Sequence, residues 1–317
     1  MNIRKLLTRL VSLALIAVFL PTVAMADTWY LEDGSITVSA TDSGQNVSQG
    51  GVTKEDSAPV IRNRDSSAST TNNVTIRADT GATANVTLED TNIDTTGGAG
   101  PKGAGDAAVR TEGAGNVNLN VELDNTLQSG NTRAGVEKGN GGSLTIGSES
   151  GSGQLVATGG DGGAGIGSGE RYTSRNYNVG DITITGGNVT AVGKQDNPAR
   201  IGGAGIGGGG FQNSNAGGGS NLKITGGRVT AVGGNSAAGI GGSMGSNGEN
   251  IAISDAEVIA IGGTCAAGIG GGCADVNGNA GQGTNISISG SANVKAAGGA
   301  GDSMDGTGAA IEVGGQA

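Results

Sequence analysis

The chain has 317 residues, with 67 glycines, six aromatic side chains, 18 basic residues against 28 acidic ones and no histidine, for a net charge of −10. An acidic surface disfavours nucleic acid and anionic lipid and favours solubility and cation binding, and the lack of histidine removes imidazole from both catalysis and metal ligation. Glycine is too abundant for ordinary helices and lacks the every-third spacing of collagen, while interspersed Ile and Val keep the chain from reading as disordered.

Residues 1–26 read as a signal peptide. Arg4, Lys5 and Arg9 form a basic start, Leu10 to Leu20 is an apolar run, Pro21 breaks it, and Ala24-Met25-Ala26 offers the small residues that leader cleavage needs. The apolar run is about a dozen residues, short of the roughly 20 that span a bilayer as a helix. The mature chain is expected to begin at Asp27, outside the cell or on its surface and without membrane insertion. It keeps 15 basic residues against 28 acidic ones.

Residues 27–69 are read as an N-terminal cap with the first strands, and residues 70–317 as Gly-rich repeats. Trp29 and Tyr30 are expected to cover the first coil. Weak copies of an alternating pattern follow: Ile36 and Val38, Val74 and Ile76, Val86 and Leu88, Val117, Leu119 and Val121, Leu144 and Ile146. Alternation of apolar and polar residues with period two is strand patterning, one face buried. Glu89 and Asp90 are adjacent, so within one strand they would face opposite sides.

From Ile182 the repeat becomes explicit. Ile182-Thr-Ile184-Thr-Gly186-Gly187-Asn-Val189-Thr-Ala191-Val192-Gly193 returns as Leu222-Lys-Ile224-Thr-Gly226-Gly227-Arg-Val229-Thr-Ala231-Val232-Gly233, then more loosely from Ile251 and Ile286. Between the copies lies a second phrase, Ala-Gly-Ile-Gly, at Ala164, Ala204, Ala238 and Ala267. Repetition at tens of residues predicts a solenoid, in which each repeat buries its apolar face only against its neighbours. Asp181, Asn221, Asn250 and Asn285 each precede the first strand of a copy. They serve either as ordinary turn residues or as a ladder bonded between coils.

Length variation collects after Gly-Ile-Gly, where a β-helix takes insertions at a corner. Two of these insertions carry Arg171, Tyr172, Arg175 and Tyr177, and Phe211 with Asn213. They hold three of the five aromatics left after leader removal. Aromatic faces beside Arg and Asn suit sugar recognition, by stacking and by bonds to hydroxyls; packing against the coil edge is the competing role. Asp275, Asn277 and Asn279 have the spacing that opens a calcium loop, but Ala280 and Ile286 stand where that motif needs Gly and Glu. Asp302 and Asp305 share another loop. Cys265 and Cys273 either form a bridge pinning one corner or remain as buried thiols, Cys265 taking the place of Ser236 and Cys273 that of Met244. Four residues follow Val313, with no cap over the last coil, so either the protein extends further or such rods self-associate end to end.

The repeats Ile-Thr-Ile-Thr-Gly-Gly-x-Val-Thr-Ala-x-Gly and Ala-Gly-Ile-Gly, from Ser143 to Ala297, resemble the Gly-rich β-helical repeat proteins secreted by Gram-positive anaerobes. The chain is also similar, more distantly, to β-helical carbohydrate-binding proteins that hold calcium. The resemblance implies an all-β, right-handed parallel β-helix at the cell surface or released. Such a fold hosts lyases, adhesins and inert spacers alike, so activity must come from the site. Without histidine or an Asp-Asp pair the chain is expected to be non-catalytic, an adhesion or structural element. The alternative is a carbohydrate-binding module using the loop residues, with calcium as an assisting ion and extracellular or cell-wall polysaccharide as partner. An ice-binding Thr ladder is not sustained, since Thr183 and Thr185 are followed by Lys223 and Thr225, then by Ala252 and Ser254.

Overall fold

The computed structural model describes residues 26–97, 105–169, 178–194, 201–210, 216–301 and 308–311. Three short strands make one coil. Val179–Ile184, Asn188–Lys194 and Ile206–Gly207 form one, and Gly219–Ile224, Arg228–Val232 and Ile240–Gly241 form the next. Each strand pairs in parallel with its equivalent in the neighbouring coil, Ile182 with Leu222, Val189 with Val229 and Ile206 with Ile240. Three sheets therefore run along a rod, the first with nine strands on its main path. At about 4.8 Å per strand that path is roughly 40 Å long. Parallel strand crossovers are right-handed in about 98% of cases. The fold is the parallel β-helix that the repeats imply.

The alternation explains why these segments become strands. Ile182, Ile184, Val189 and Ala191 are at most 1% exposed, whereas the residues between them face outwards. Stacking places like on like: Leu119, Ile146, Ile184, Ile224 and Ile253 form one inner ladder. Val136, Ile166, Ile206, Ile240 and Ile269 form another. Burying one such side chain contributes about 1.5–3 kcal/mol, and most of its partners lie in adjacent coils, so no coil is stable by itself.

Two corner devices set the register. Asp181, Asn221, Asn250 and Asn285 all have left-handed backbones, φ 51–56°, which Asn and Asp tolerate best among non-glycine residues. Their side chains bond in series: Asn221 Nδ2 donates to Asp181 Oδ1 at 3.1 Å, Asn250 to Asn221 at 3.2 Å, and Asn285 to Asn250 at 2.9 Å. The ladder alternative is the one realised. The second device is Gly-Ile-Gly. Gly167, Gly207, Gly241 and Gly270 have φ between 134° and 145°, and a Cβ on Gly207 would overlap the carbonyl of Gly241. The glycine after the Ile is thus required by the close approach of backbones.

The N-terminal end departs from the repeat. Ile36–Thr41 pairs in parallel with Val74–Ala78, but its other edge takes Gly44–Gln49 and then Val52–Glu55 as antiparallel strands. Trp29 packs against the core, as expected of a cover. Val52–Glu55 is exposed throughout and carries Lys54 and Glu55, a short charged edge that discourages further strand addition. At the other end, Ile288 is in register with Ile253 yet 42% exposed, against 1% for Ile253. Among the described residues nothing covers that last coil.

Candidate functional site

The residues expected to bind sugar, Arg171, Tyr172, Arg175, Tyr177, Phe211 and Asn213, lie outside the described residues, as do Asp302 and Asp305. Their flanks are described. Ile166–Gly167 pairs with Ile206–Gly207 where the two insertions leave the rod, and Gly209 N donates to Ser168 Oγ at 2.8 Å. Where the insertions return, Val179 N donates to Gly218 O at 2.9 Å and Gly218 N to Asn178 Oδ1 at 3.0 Å. Both insertions therefore start and finish at stacked positions. Beside their return is an open groove of about 250 Å³ lined by Asn178, Gly245, Ser246, Asn247 and Glu249.

A second groove, about 210 Å³, lies on the outer face of the first sheet. Its lining includes Asn118, Asn120, Thr145, Ser148, Glu149 and Thr185, over Leu119 and Gly147. Gly147 interrupts the outward row between Asn120 and Thr185, which makes the notch. A third recess is lined by Tyr30, Arg62, Asn63 and Arg64. The Arg64 guanidinium lies 4.3 Å from the Tyr30 ring centroid and also pairs with Asp33 at 2.7 Å. This combination of aromatic and Arg was missed in the sequence because Tyr30 and Arg64 meet only when the first coil closes.

Several carboxylates near these surfaces are committed to structure. Arg62 pairs with both Glu89, at 2.6 Å, and Asp90, at 3.3 Å. The expectation that Glu89 and Asp90 face opposite sides is corrected: Asp90 is not a strand residue but a corner residue at φ 51°, and the turn brings both to one arginine. Glu122 stacks beside Glu89. Burial pushes the Glu122 carboxyl up, but hydrogen bonds from Ser150, Glu149 and Asn120 together hold it below the ordinary value. A carboxylate held ionised by backbone N–H groups is poorly placed to shuttle protons.

The Asp275 loop is held by bonds to its own carboxylate. Backbone N–H groups of Asn279 and Asn277 donate to Asp275 Oδ1 at 2.8 and 2.9 Å, and both Asn side-chain amides donate to Oδ2 at 3.3 Å. These bonds, led by that from the Asn279 backbone, hold the Asp275 carboxyl below its ordinary value. Among the described residues no three His, Cys, Asp or Glu side chains converge as metal ligands.

Cys265 and Cys273 are joined as a disulfide, with Cα atoms 5.2 Å apart. Cys265 and Ser236 share a left-handed corner, at φ 53° and 63°, and Gly245 N donates to the Cys273 carbonyl at 2.7 Å. The bridge ties the corner to the glycine-rich segment that follows Ile269–Gly270. Lys138 is 5% exposed and its Nζ donates to the Asn140 carbonyl at 2.9 Å. Burial pushes its amine below the ordinary lysine value, partly offset by Asp181.

A family model described as a beta helix repeat matches residues 182–210, 222–245 and 251–273. The matched segments contain both repeated phrases, and together with the three parallel sheets they make the chain a β-helical repeat protein. No curated protein and no solved structure matches it.

Proposed function

We propose that this protein is exported through its leader and acts as a non-catalytic, rod-like adhesion and structural element at or beyond the cell surface. The unbroken inner ladder from Val74 through Val109, Val136, Ile166, Ile206 and Ile240 to Ile269 supports this most directly. It makes a stiff body whose acidic residues near the grooves serve largely in ion pairs and turn bonds. The last coil, uncovered among the described residues, supports end-to-end association of such rods. Sedimentation over a wide concentration range tests this, and a rod that stays monomeric at high concentration refutes it.

The stacked insertion bases and the groove beside their return, lined by Asn178, Asn247 and Glu249, favour a second reading, a module that binds an extracellular or cell-wall polysaccharide. A glycan array probed with and without calcium separates the two. Saturable binding weakened several-fold by Tyr172→Ala, Tyr177→Ala or Phe211→Ala, with the melting temperature nearly unchanged, supports the module, because one stacked aromatic contributes about 0.5–1.5 kcal/mol. Silence on every glycan supports the structural role.

A further inference from the structure

The N-terminal end holds a buried carboxylate whose partners change when the leader is removed. Asp56 is 3% exposed. Its Oδ2 accepts the Trp29 indole N–H at 2.9 Å and the backbone N–H of Asp27 at 3.2 Å, and its Oδ1 accepts the backbone N–H of Ala58 at 3.1 Å. Its own backbone is fixed by Gln45, which accepts from Asp56 N and donates from Nε2 to Asp56 O, both at 3.0 Å. While Asp27 is an internal residue, all three donors on this carboxylate are neutral. The neighbouring cation, Lys54, is bonded to the Asp27 carboxylate instead. Ala26, on the leader side, is exposed.

We propose that Asp56 is the receptor for the α-ammonium group formed when the leader is cut between Ala26 and Asp27, so that the N-terminal end of the core is locked in the processed chain alone. This rests on reading residues 1–26 as a leader. A leader peptidase adds one water across the Ala26–Asp27 amide. The C–N bond breaks, Ala26 leaves as a carboxylate, and Asp27 keeps the nitrogen, which takes up a proton at neutral pH. That nitrogen already points its hydrogen at Asp56 Oδ2, so the new cation needs no rearrangement to engage. A hydrogen bond between ionised partners is shorter and roughly twice as strong as a neutral one, and here the acceptor is a carboxylate only 3% exposed. The same Oδ2 holds the Trp29 indole, and Trp29 covers the first coil. Processing therefore tightens the end on which all later coils stack.

The test compares three preparations of the mature chain: one starting at Asp27, one starting at Ala26, and the Asp27 form acetylated at its α-amine. The Asp27 form is expected to melt several degrees above the other two, and its amine to react more slowly with an acylating reagent than that of the Ala26 form. Asp56→Asn, made in both the Asp27 and Ala26 forms, should abolish the difference. Should that variant fail to fold, the amine-reactivity comparison still decides. Equal melting and equal reactivity of the Asp27 and Ala26 forms would overturn the lock. N-terminal sequencing of the exported protein tests the leader separately: a first residue other than Asp27 would overturn the maturation step, whatever the melting data show.

Discussion

Replacing Asn221 separates two contributions that coincide at one corner. Asn221 donates to Asp181 at 3.1 Å, accepts from Asn250 at 3.2 Å, and sits at φ 51°. Each bond is on the surface, so the pair contributes about 1 kcal/mol, the low end for hydrogen bonds. A left-handed backbone at a residue other than Gly, Asn or Asp adds a cost of about 1 kcal/mol. Asn221→Ala loses the bonds and takes on that strain, for a loss of about 2 kcal/mol. Asn221→Gly loses the same bonds without the strain, for a loss of about 1 kcal/mol, with the greater backbone freedom of glycine as a smaller addition. Urea unfolding of the three proteins, with the slope checked for constancy, gives both numbers. If Ala and Gly are equally damaging, the left-handed corner carries no strain. If both match the parent, the ladder does not stabilise the rod, and its role in register fails with it.

Further outcomes follow from other positions. Ile224→Asp places a carboxylate between Ile184 and Ile253 at a site 2% exposed, and should cost several kcal/mol; thermal melting like the parent would show that this position does not face the core. Gly207→Ala should cost about 3 kcal/mol or more, through its φ of 134° and the overlap with Gly241. Gly97→Ala, with no atom of the described residues within 4 Å of the added Cβ, should stay within about 0.5 kcal/mol of the parent when both are unfolded in urea. Lys138→Met should stabilise by about 1 kcal/mol at neutral pH, because the buried amine is removed. Since the folded state lowers the lysine pKa below 10.5, the unfolded chain binds more protons in that window and the parent gains stability as pH rises through it. The advantage of Lys138→Met should therefore shrink towards pH 10.5, as melting curves across the alkaline range will show. Replacing Cys265 and Cys273 by Ser should lower stability by about 2 kcal/mol in the oxidised protein and leave melting insensitive to a thiol reductant.

Architecture was legible in the sequence wherever side chains repeat. Ile182, Ile184, Val189 and Ala191 named their own partners forty residues on, because a parallel stack in register sets like beside like. Asn221 was legible as a corner residue, but its sequence left ladder and ordinary turn equally open. That choice depends on the distance between coils, which no single copy encodes. The antiparallel pair after Thr41 was not legible, since Gly50-Gly51 marks a turn without saying which edge receives the strands. Nor was the shared hold of Arg62 on Glu89 and Asp90, which depends on Asp90 leaving the strand direction. The candidate ligand residues were chosen from their residue types and from their place in insertions after Gly-Ile-Gly, and only the stacking of those flanking segments now bears on them.

The orientation of the backbone bonds has a mechanical consequence. Bonds such as Ile206 N to Gly239 O run from coil to coil, along the length of the rod. A pull on the two ends loads them one after another, as in a zipper, instead of shearing a whole row at once. The molecule should therefore resist bending better than it resists stretching, and under tension it should unspool one turn at a time. From Leu222 to Ile251 one turn holds 29 residues and from Ile182 to Leu222 it holds 40, so a step pays out about 100–135 Å of extended chain. The bridge between Cys265 and Cys273, eight residues apart with Cα atoms 5.2 Å from each other, shortens its own turn by about 20 Å. A tether made this way would yield under a sudden load by lengthening, and would rewind when the load is released.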